Sequence, residues 1–351
     1  MIKTKNTYRR IFWIIGLLIL VGLAGCAPGT PEVEPPISET EIETVVPTAT
    51  EAQETPPVVD SPPKAILVRG AEVDPFVVDE IQILLETLTS DSGLSLDVLP
   101  GVSPEMVTPD VQVVIGVGAN LDLNGFAASA PGVSFVAIGD PTATVTDNLS
   151  VIGGLADEVR QQAFMAGYLS ALMASDSKVA GIISSDHPAS DLLAESFVVG
   201  ARFFCGICQP LFPPYNPFPQ WELMAVETTA DGFRPLINTY NDMDVEVLYV
   251  HGDLASPDLF VIIQDLGIKV VSDRTPDVLR DNWVATITID PAPALATLWP
   301  DVVAGMPGMH VPAAIRLTNR DTGLLSDGRY RLFEEMAADL QAGLVSFERV
   351  P

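Results

Sequence analysis

The sequence predicts an α/β fold of the doubly wound kind, with parallel sheets, over residues 64–351. Three observations predict it. From Lys64 onward, short β-branched runs alternate with helix-length amphipathic segments, the order that builds parallel sheets covered by helices. Most of the β-branched runs are continuously apolar, as strands buried on both faces are. Apolar residues make up 48% of the 351 and aromatics only 7%, enough for two lobes of ordinary size with aliphatic cores.

Strands are expected at 65–68, 94–99, 111–117, 133–138 and 149–152, then at 179–184, 222–226, 245–250, 268–271 and 284–289. Helices are expected at 77–88, 157–174, 189–204, 233–240, 257–266, 293–303 and 329–342. The run Val114-Ile115-Gly116-Val117-Gly118 has part of a dinucleotide fingerprint but lacks its third glycine, so it reads as a strand and a tight turn. In the helix at 157–174, Ala163, Ala166, Gly167, Ala171 and Ala174 recur at helical spacing. Gly167 costs up to about 1 kcal/mol against alanine in an exposed helix, so close packing is expected to offset it. Gly267 stops the helix at 257–266. No internal repeat is visible.

Ahead of this body stand two segments of other kinds. Residues 1–10 are basic through Lys3, Lys5, Arg9 and Arg10; residues 11–20 are apolar but short for a membrane span; small residues lead to Cys26. Leu23-Ala24-Gly25-Cys26 resembles a bacterial lipobox, which implies that the Cys26 thiol receives a diacylglycerol and that residues 1–25 are cleaved as a signal peptide; an uncleaved anchor helix is the alternative. Residues 26–63 are crowded with Pro, Thr, Glu and Val and have no Lys or Arg. Such a stretch cannot bury enough apolar surface to offset its ordering entropy, so it is expected to be a disordered, extended tether. The formal net charge of −28 repels phosphate backbones and sets nucleic acid aside; it also favours a soluble monomer.

Ligands of doubly wound sheets bind where strands end at their carboxyl side. On that ground Asp74, Phe76, Asn120, Asp140, Asp186, Asp253 and Asp273 are candidate ligand-binding residues. Turns use Asp and Asn as well, which is an equally physical reason for any single one of them. Cys205 and Cys208 form a lone CxxC pair, weak as a zinc site and placed after a helix rather than at its start. A local disulfide is the favoured reading in an oxidising compartment, with free thiols or a redox pair as alternatives. The proline-rich stretch that follows holds Phe212, Tyr215, Phe218 and Trp221, a contact surface, a lid, or a cap folded onto its own lobe. The three histidines, His187, His251 and His310, form no hydrolase or metalloprotease motif, and no phosphate-binding loop is present. A binding protein without cofactor or metal is expected, not an enzyme.

The helix Asp157-Glu158-Val159-Arg160-Gln161-Gln162-Ala163-Phe164-Met165-Ala166-Gly167-Tyr168-Leu169, the strand opening Ser177-Lys178-Val179, the run Phe197-Val198-Val199-Gly200-Ala201 and the endings Asp321–Gly328 and Asp339–Gly343 together resemble the basic membrane protein family of substrate-binding lipoproteins, purine-nucleoside receptor type. The resemblance implies a type I periplasmic-binding-protein architecture: two Rossmann-like lobes joined by crossing strands near 149–154, 251 and 281–288. Lobe 1 would hold about 64–152 and 252–282, lobe 2 about 153–251 and 290–351. It implies an extracytoplasmic receptor, held to the cell membrane by its lipid, that delivers a nucleoside-like or sugar-bearing solute to an ABC transporter permease. A sensory or scaffold lipoprotein that contacts another protein is the alternative. Asp273 matches the aspartate the family places on ribose, and a carboxylate can accept from two vicinal hydroxyls. Arg274 beside it is placed to pair with it instead. Asp74-Pro75-Phe76-Val77 lacks the family's asparagine, and Asp290 stands where the family has a lysine.

Overall fold

The computed structural model describes residues 62–70, 73, 75–101 and 103–346. Cys26, the expected signal, the tether up to residue 61 and Asp74 lie outside the described residues.

Two six-stranded sheets form the body, in agreement with the expected α/β class. The first contains β1 (Lys64–Arg69), β2 (Ser95–Leu99), β3 (Val111–Val117), β4 (Ser134–Ile138), β5 (Leu149–Ile152) and β11 (His310–Val311). Its order is β11-β5-β4-β3-β1-β2, parallel throughout. The second contains β6 (Val179–Ser184), β7 (Gln220–Met224), β8 (Val247–Val250), β9 (Lys269–Ser272), β10 (Trp283–Asp290) and β12 (Ala314–Thr318). Its order is β12-β10-β9-β8-β6-β7, with only β12 antiparallel to its neighbour.

Helices cover both faces of each sheet. α1 (Pro75–Asp91) and α7 (Ala292–Val303) pack on one face of the first sheet and α2 (Leu123–Ser129) on the other. α3 (Ala156–Met173), α4 (Ser190–Cys205) and α8 (Asp327–Gln341) cover one face of the second; α5 (Ala230–Asp242) and α6 (Pro257–Asp265) cover the other. Alternate strand residues therefore enter different cores. Val247 and Tyr249 of β8 face α3 and α4, while Leu248 and Val250 face α5 and α6. That is why the strands read as unbroken apolar runs, each such side chain contributing about 1.5–3 kcal/mol on burial.

Gly167 and Gly200 explain how α3 meets α4. A β-carbon on Gly167 would lie 1.9 Å from the Phe197 carbonyl oxygen, and one on Gly200 would lie 1.9 Å from the Phe164 carbonyl oxygen. The two backbones touch, and the close packing expected of Gly167 is a helix-to-helix contact.

The lobe boundaries need correcting. β9 lies in the second sheet, paired in parallel beside β8, and α6 spans only the gap between these neighbours. Residues 252–282 thus belong to the second lobe and the chain does not cross near His251. Instead, α7 and β11 return residues 292–311 to the first lobe. The crossings fall at 153–155, between β5 and α3; at Pro291, between β10 and α7; and at 312–313, between β11 and β12. The first was expected, and the last two fall later in the chain than expected.

Candidate ligand-binding cleft

A cleft of about 730 Å³ lies between the lobes, within the usual range of small-molecule sites. The carboxyl ends of β3, β4 and β5 supply Val117, Gly118, Ala119, Ile138, Gly139, Ile152, Gly153 and Gly154, and α1 adds Val77. The second lobe and the crossings supply Leu155, Glu158, Val159, the turn His187–Ala189 after β6, Ile289, Pro291 and Ala313. The position is the one that doubly wound sheets favour.

Two glycines shape its floor. Gly153 and Gly154 carry φ of 67° and 78°, the left-handed region that costs a side-chain-bearing residue most. A β-carbon on Gly154 would also lie 2.8 Å from the Asp140 carbonyl oxygen. The strand ends close their own donors: Gly118 N–H donates to the Ile138 carbonyl at 2.8 Å, Gly139 N–H to Ile152 at 2.9 Å and Gly153 N–H to Val311 at 3.0 Å.

Glu158, in the first turn of α3, is 4% exposed. Its Oε1 accepts from the Ala313 N–H at 2.9 Å, joining the first crossing to the third, and the His310 ring sits 3.1 Å from the Gly153 carbonyl oxygen. Burial pushes the Glu158 carboxyl above its ordinary pKa, against the pull of the Ala313 and Leu155 N–H groups and of His310. His187 Nδ1 accepts from the Ala189 N–H at 3.1 Å, so in the neutral ring Nε2 holds the proton. Its ring meets that of His251 edge-on at 5.4 Å. Burial first, then His251, pushes His187 down, with Asp253 and Asp273 opposing, which favours the neutral ring near pH 7.

The structure gathers only some of the candidate residues. Asp273 and Asp253 meet around His251, at 3.7 Å from Nε2 and 3.6 Å from Nδ1 respectively. Asp273 is held by the protein itself: Oδ2 accepts from the Tyr249 hydroxyl at 2.9 Å and Oδ1 from the Gly252 N–H. Arg274 turns to Asp253, 4.0 Å away, and does not pair with Asp273. Asp140 accepts from Thr142 N–H at 2.9 Å and Thr142 Oγ1 at 2.7 Å, an Asx turn between the cleft residues Gly139 and Pro141. Asn120 is exposed one residue beyond Ala119, with φ 65°. Asp186 is exposed and accepts from Val226 N–H at 2.7 Å, linking the turns after β6 and β7. Phe76 lies in the first turn of α1 beside Val77. Asn120, Asp140, Asp186, Asp253 and Asp273 are not among the described residues that line the cleft.

Sequence reasoning missed Glu158. It sits in a helix read for packing, and its signal was a carboxylate in a first helical turn directly after a strand end and two glycines. Asp290 accepts from Ala292 N–H at 2.9 Å and pairs with Arg316 Nε at 2.9 Å.

The aromatic stretch is not a lid. Asp176 accepts from the Leu211 and Phe212 N–H groups at 2.6 and 3.1 Å, and Lys178 Nζ donates to the Pro213 carbonyl at 3.2 Å. Both anchors precede β6, so the stretch sits at the amino ends of the second sheet, opposite the cleft. Cys205 and Cys208 are joined as a disulfide with Cα atoms 4.9 Å apart. Cys208 and Phe218 fold into the core, whereas Ile207, Leu211, Phe212 and Tyr215 are exposed. Among the described residues, no group of His, Cys, Asp or Glu is arranged to hold a metal ion, and no helix is long and apolar enough to cross a membrane.

No protein-family model matches the chain, and no curated protein matches it in sequence. Solved structures match it in fold. An ABC transporter system solute-binding protein from Conexibacter woesei DSM 14684 is 15% identical, covers 82% of this chain and 98% of its own, and gives a TM-score of 0.59. Another from Aeropyrum pernix K1 is 13% identical over 81% of this chain and 93% of its own, with a TM-score of 0.54. A transcriptional activator of the comK gene from Bacillus halodurans is 16% identical over 80% and 98%, with a TM-score of 0.53. The shared fold is that of type I periplasmic binding proteins.

Proposed function

We propose that this chain is an extracytoplasmic, lipid-anchored solute-binding protein that works as a monomer and delivers a small molecule to an ABC importer. The observation that carries the reading is the cleft itself: a site-sized space at the carboxyl strand ends, bounded by three chain crossings on which two lobes can close. The fold shared with solute-binding proteins supports binding rather than catalysis. The lipobox-like Leu23-Ala24-Gly25-Cys26 and the charge of −28 support an anchor through acyl chains with the body held off the lipid. The resemblance in α3 would make the solute nucleoside-like or sugar-bearing, with Asp273 at its hydroxyls. The cleft lining favours another class, argued below.

Two experiments test the reading. Cells expressing Cys26→Ser should release the protein into the soluble extracytoplasmic fraction; retention in membranes would refute the lipid anchor. Native mass spectrometry after incubation with a metabolite extract should show one small molecule retained per chain. A chain that retains none, and whose melting temperature no metabolite raises, is not a solute receptor. The exposed Ile207, Leu211, Phe212 and Tyr215 favour a second reading, a scaffold that contacts a protein partner. Co-purification of one envelope protein, lost on Phe212→Ser with Leu211→Ser, would support it.

A further inference from the structure

The described lining of the cleft is chemically one-sided. Among the described residues that line it, only Glu158 and His187 have polar side chains; the others are Val, Ile, Leu, Pro, Ala and Gly. The N–H groups of Gly118, Gly139 and Gly153 are already engaged within the first lobe. No Lys or Arg is among the described lining residues, and the ionisable base that acts on Glu158 is His310, outside that lining. The Ala313 N–H on the third crossing engages Glu158 Oε1, and the Leu155 and Gly154 N–H groups also pull on the carboxylate, all neutral donors.

From this we infer that the cleft takes a predominantly apolar small molecule bearing one basic nitrogen, which pairs with the Glu158 carboxylate; the inference rests on the solute-binding reading above. A sugar enclosed here would lose water from several hydroxyls and find few partners. Each hydroxyl left unsatisfied on burial weakens binding, which disfavours a polyol. An alkyl or aryl amine instead removes apolar surface from water against Val77, Ile138, Ile152, Val159 and Ile289. Its ammonium brings a permanent opposite charge to the carboxylate, and charge-assisted bonds of this kind are among the stronger ones. The His187 Nε2–H can donate to one acceptor on the same molecule. Burial holds the Glu158 pKa up and so disfavours the ionised form in the empty cleft; a bound cation acts against that by stabilising the carboxylate.

The test is titration calorimetry of the full-length chain with phenethylamine, 2-phenylethanol, D-ribose and adenosine. Phenethylamine should bind at least tenfold more tightly than 2-phenylethanol, and the two hydroxyl-rich probes should give no heat. Glu158→Gln keeps an acceptor for the Ala313 N–H and the shape of the side chain, so folding should persist. It should abolish the preference for the amine while leaving 2-phenylethanol unchanged. Ile152→Thr, which alters the apolar wall and not the carboxylate, should weaken both aromatic probes together. Binding of ribose or adenosine with phenethylamine silent would overturn the ligand class and leave the solute-binding reading standing. If none of the four binds, the compound retained from a metabolite extract decides: an apolar amine supports the inference, any other class overturns it, and no retained compound defeats the solute-binding reading as well.

Discussion

The Tyr249 hydroxyl and the Gly252 N–H both depend on one carboxylate, that of Asp273. Tyr249 is 1% exposed, and burial followed by the nearby Asp273 charge pushes its pKa well above the ordinary tyrosine value, so its proton stays on to donate. Replacing Asp273 with Ala orphans a buried donor, which costs about 1–3 kcal/mol. Asp273→Ala should therefore lower the melting temperature measurably, while phenethylamine affinity by calorimetry changes less than threefold. An unchanged melting temperature with a large loss of affinity would return Asp273 to the ligand. Glu158 has the opposite character. Its folded pKa lies above the unfolded value of 4.5, so the folded state holds the proton more tightly. The stability this contributes is complete below pH 4.5 and is lost as pH rises through the folded pKa. Glu158→Gln removes that dependence. The melting temperature of the variant minus that of the parent, without ligand, should rise from pH 4.5 to pH 7; a flat difference would show that the carboxyl is not destabilised by burial.

At the scale of elements, the α3–α4 crossing inverts a general rule. Gly→Ala in an exposed helix stabilises by up to about 1 kcal/mol. At Gly167 and Gly200 the added methyl would meet backbone oxygen at 1.9 Å, and backbone cannot rotate away as a side chain can. Gly167→Ala should lower the denaturation midpoint in urea by the equivalent of at least 1–3 kcal/mol, roughly the cost of overpacking. A rise in midpoint would mean the helices separate freely. The same crossing shows what sequence can disclose. Small residues at helical spacing announce close contact, though not the partner. Continuous apolar runs disclosed β3, β6 and β8, because both faces of each strand are buried. Strand order stayed hidden: nothing local to 252–282 says which sheet β9 joins. β12 was missed because Ala314-Ile315-Arg316-Leu317-Thr318 alternates, burying Ile315 and Leu317 on one face only, and α2 because seven residues make a weak period. For the site, the strand-end rule found the right loops and the wrong atoms. Asp140, Asp186 and Asp273 turn their carboxylates to nearby hydroxyl or N–H groups, the ordinary use of aspartate in turns, and leave the cleft to apolar neighbours.

In the whole molecule, lobe closure depends on the three crossings and on contacts made across the cleft. Arg316, on β12 of the second lobe, pairs through Nη2 with Glu80 of α1 in the first lobe at 2.7 Å, and through Nε with the buried Asp290 at 2.9 Å. The Glu80 arm spans the lobes; the Asp290 arm holds the arginine in place at the second crossing. Glu80 and Arg316 are about one-third exposed, so the spanning arm is worth only about 0.2–1 kcal/mol to folding. A bias of that size still shifts a lobe equilibrium, since about 1.4 kcal/mol is a factor of ten in population. Glu80→Gln removes the spanning arm and leaves Asp290 paired, so it should barely change the melting temperature. It should increase the unliganded radius of gyration in solution scattering and broaden the distance between spin labels placed at Gln82 and Arg329. In 1 M salt, where the screening length is about 3 Å, the parent should approach the variant. Identical distance distributions for the two proteins at low salt would show that the pair follows closure and does not favour it.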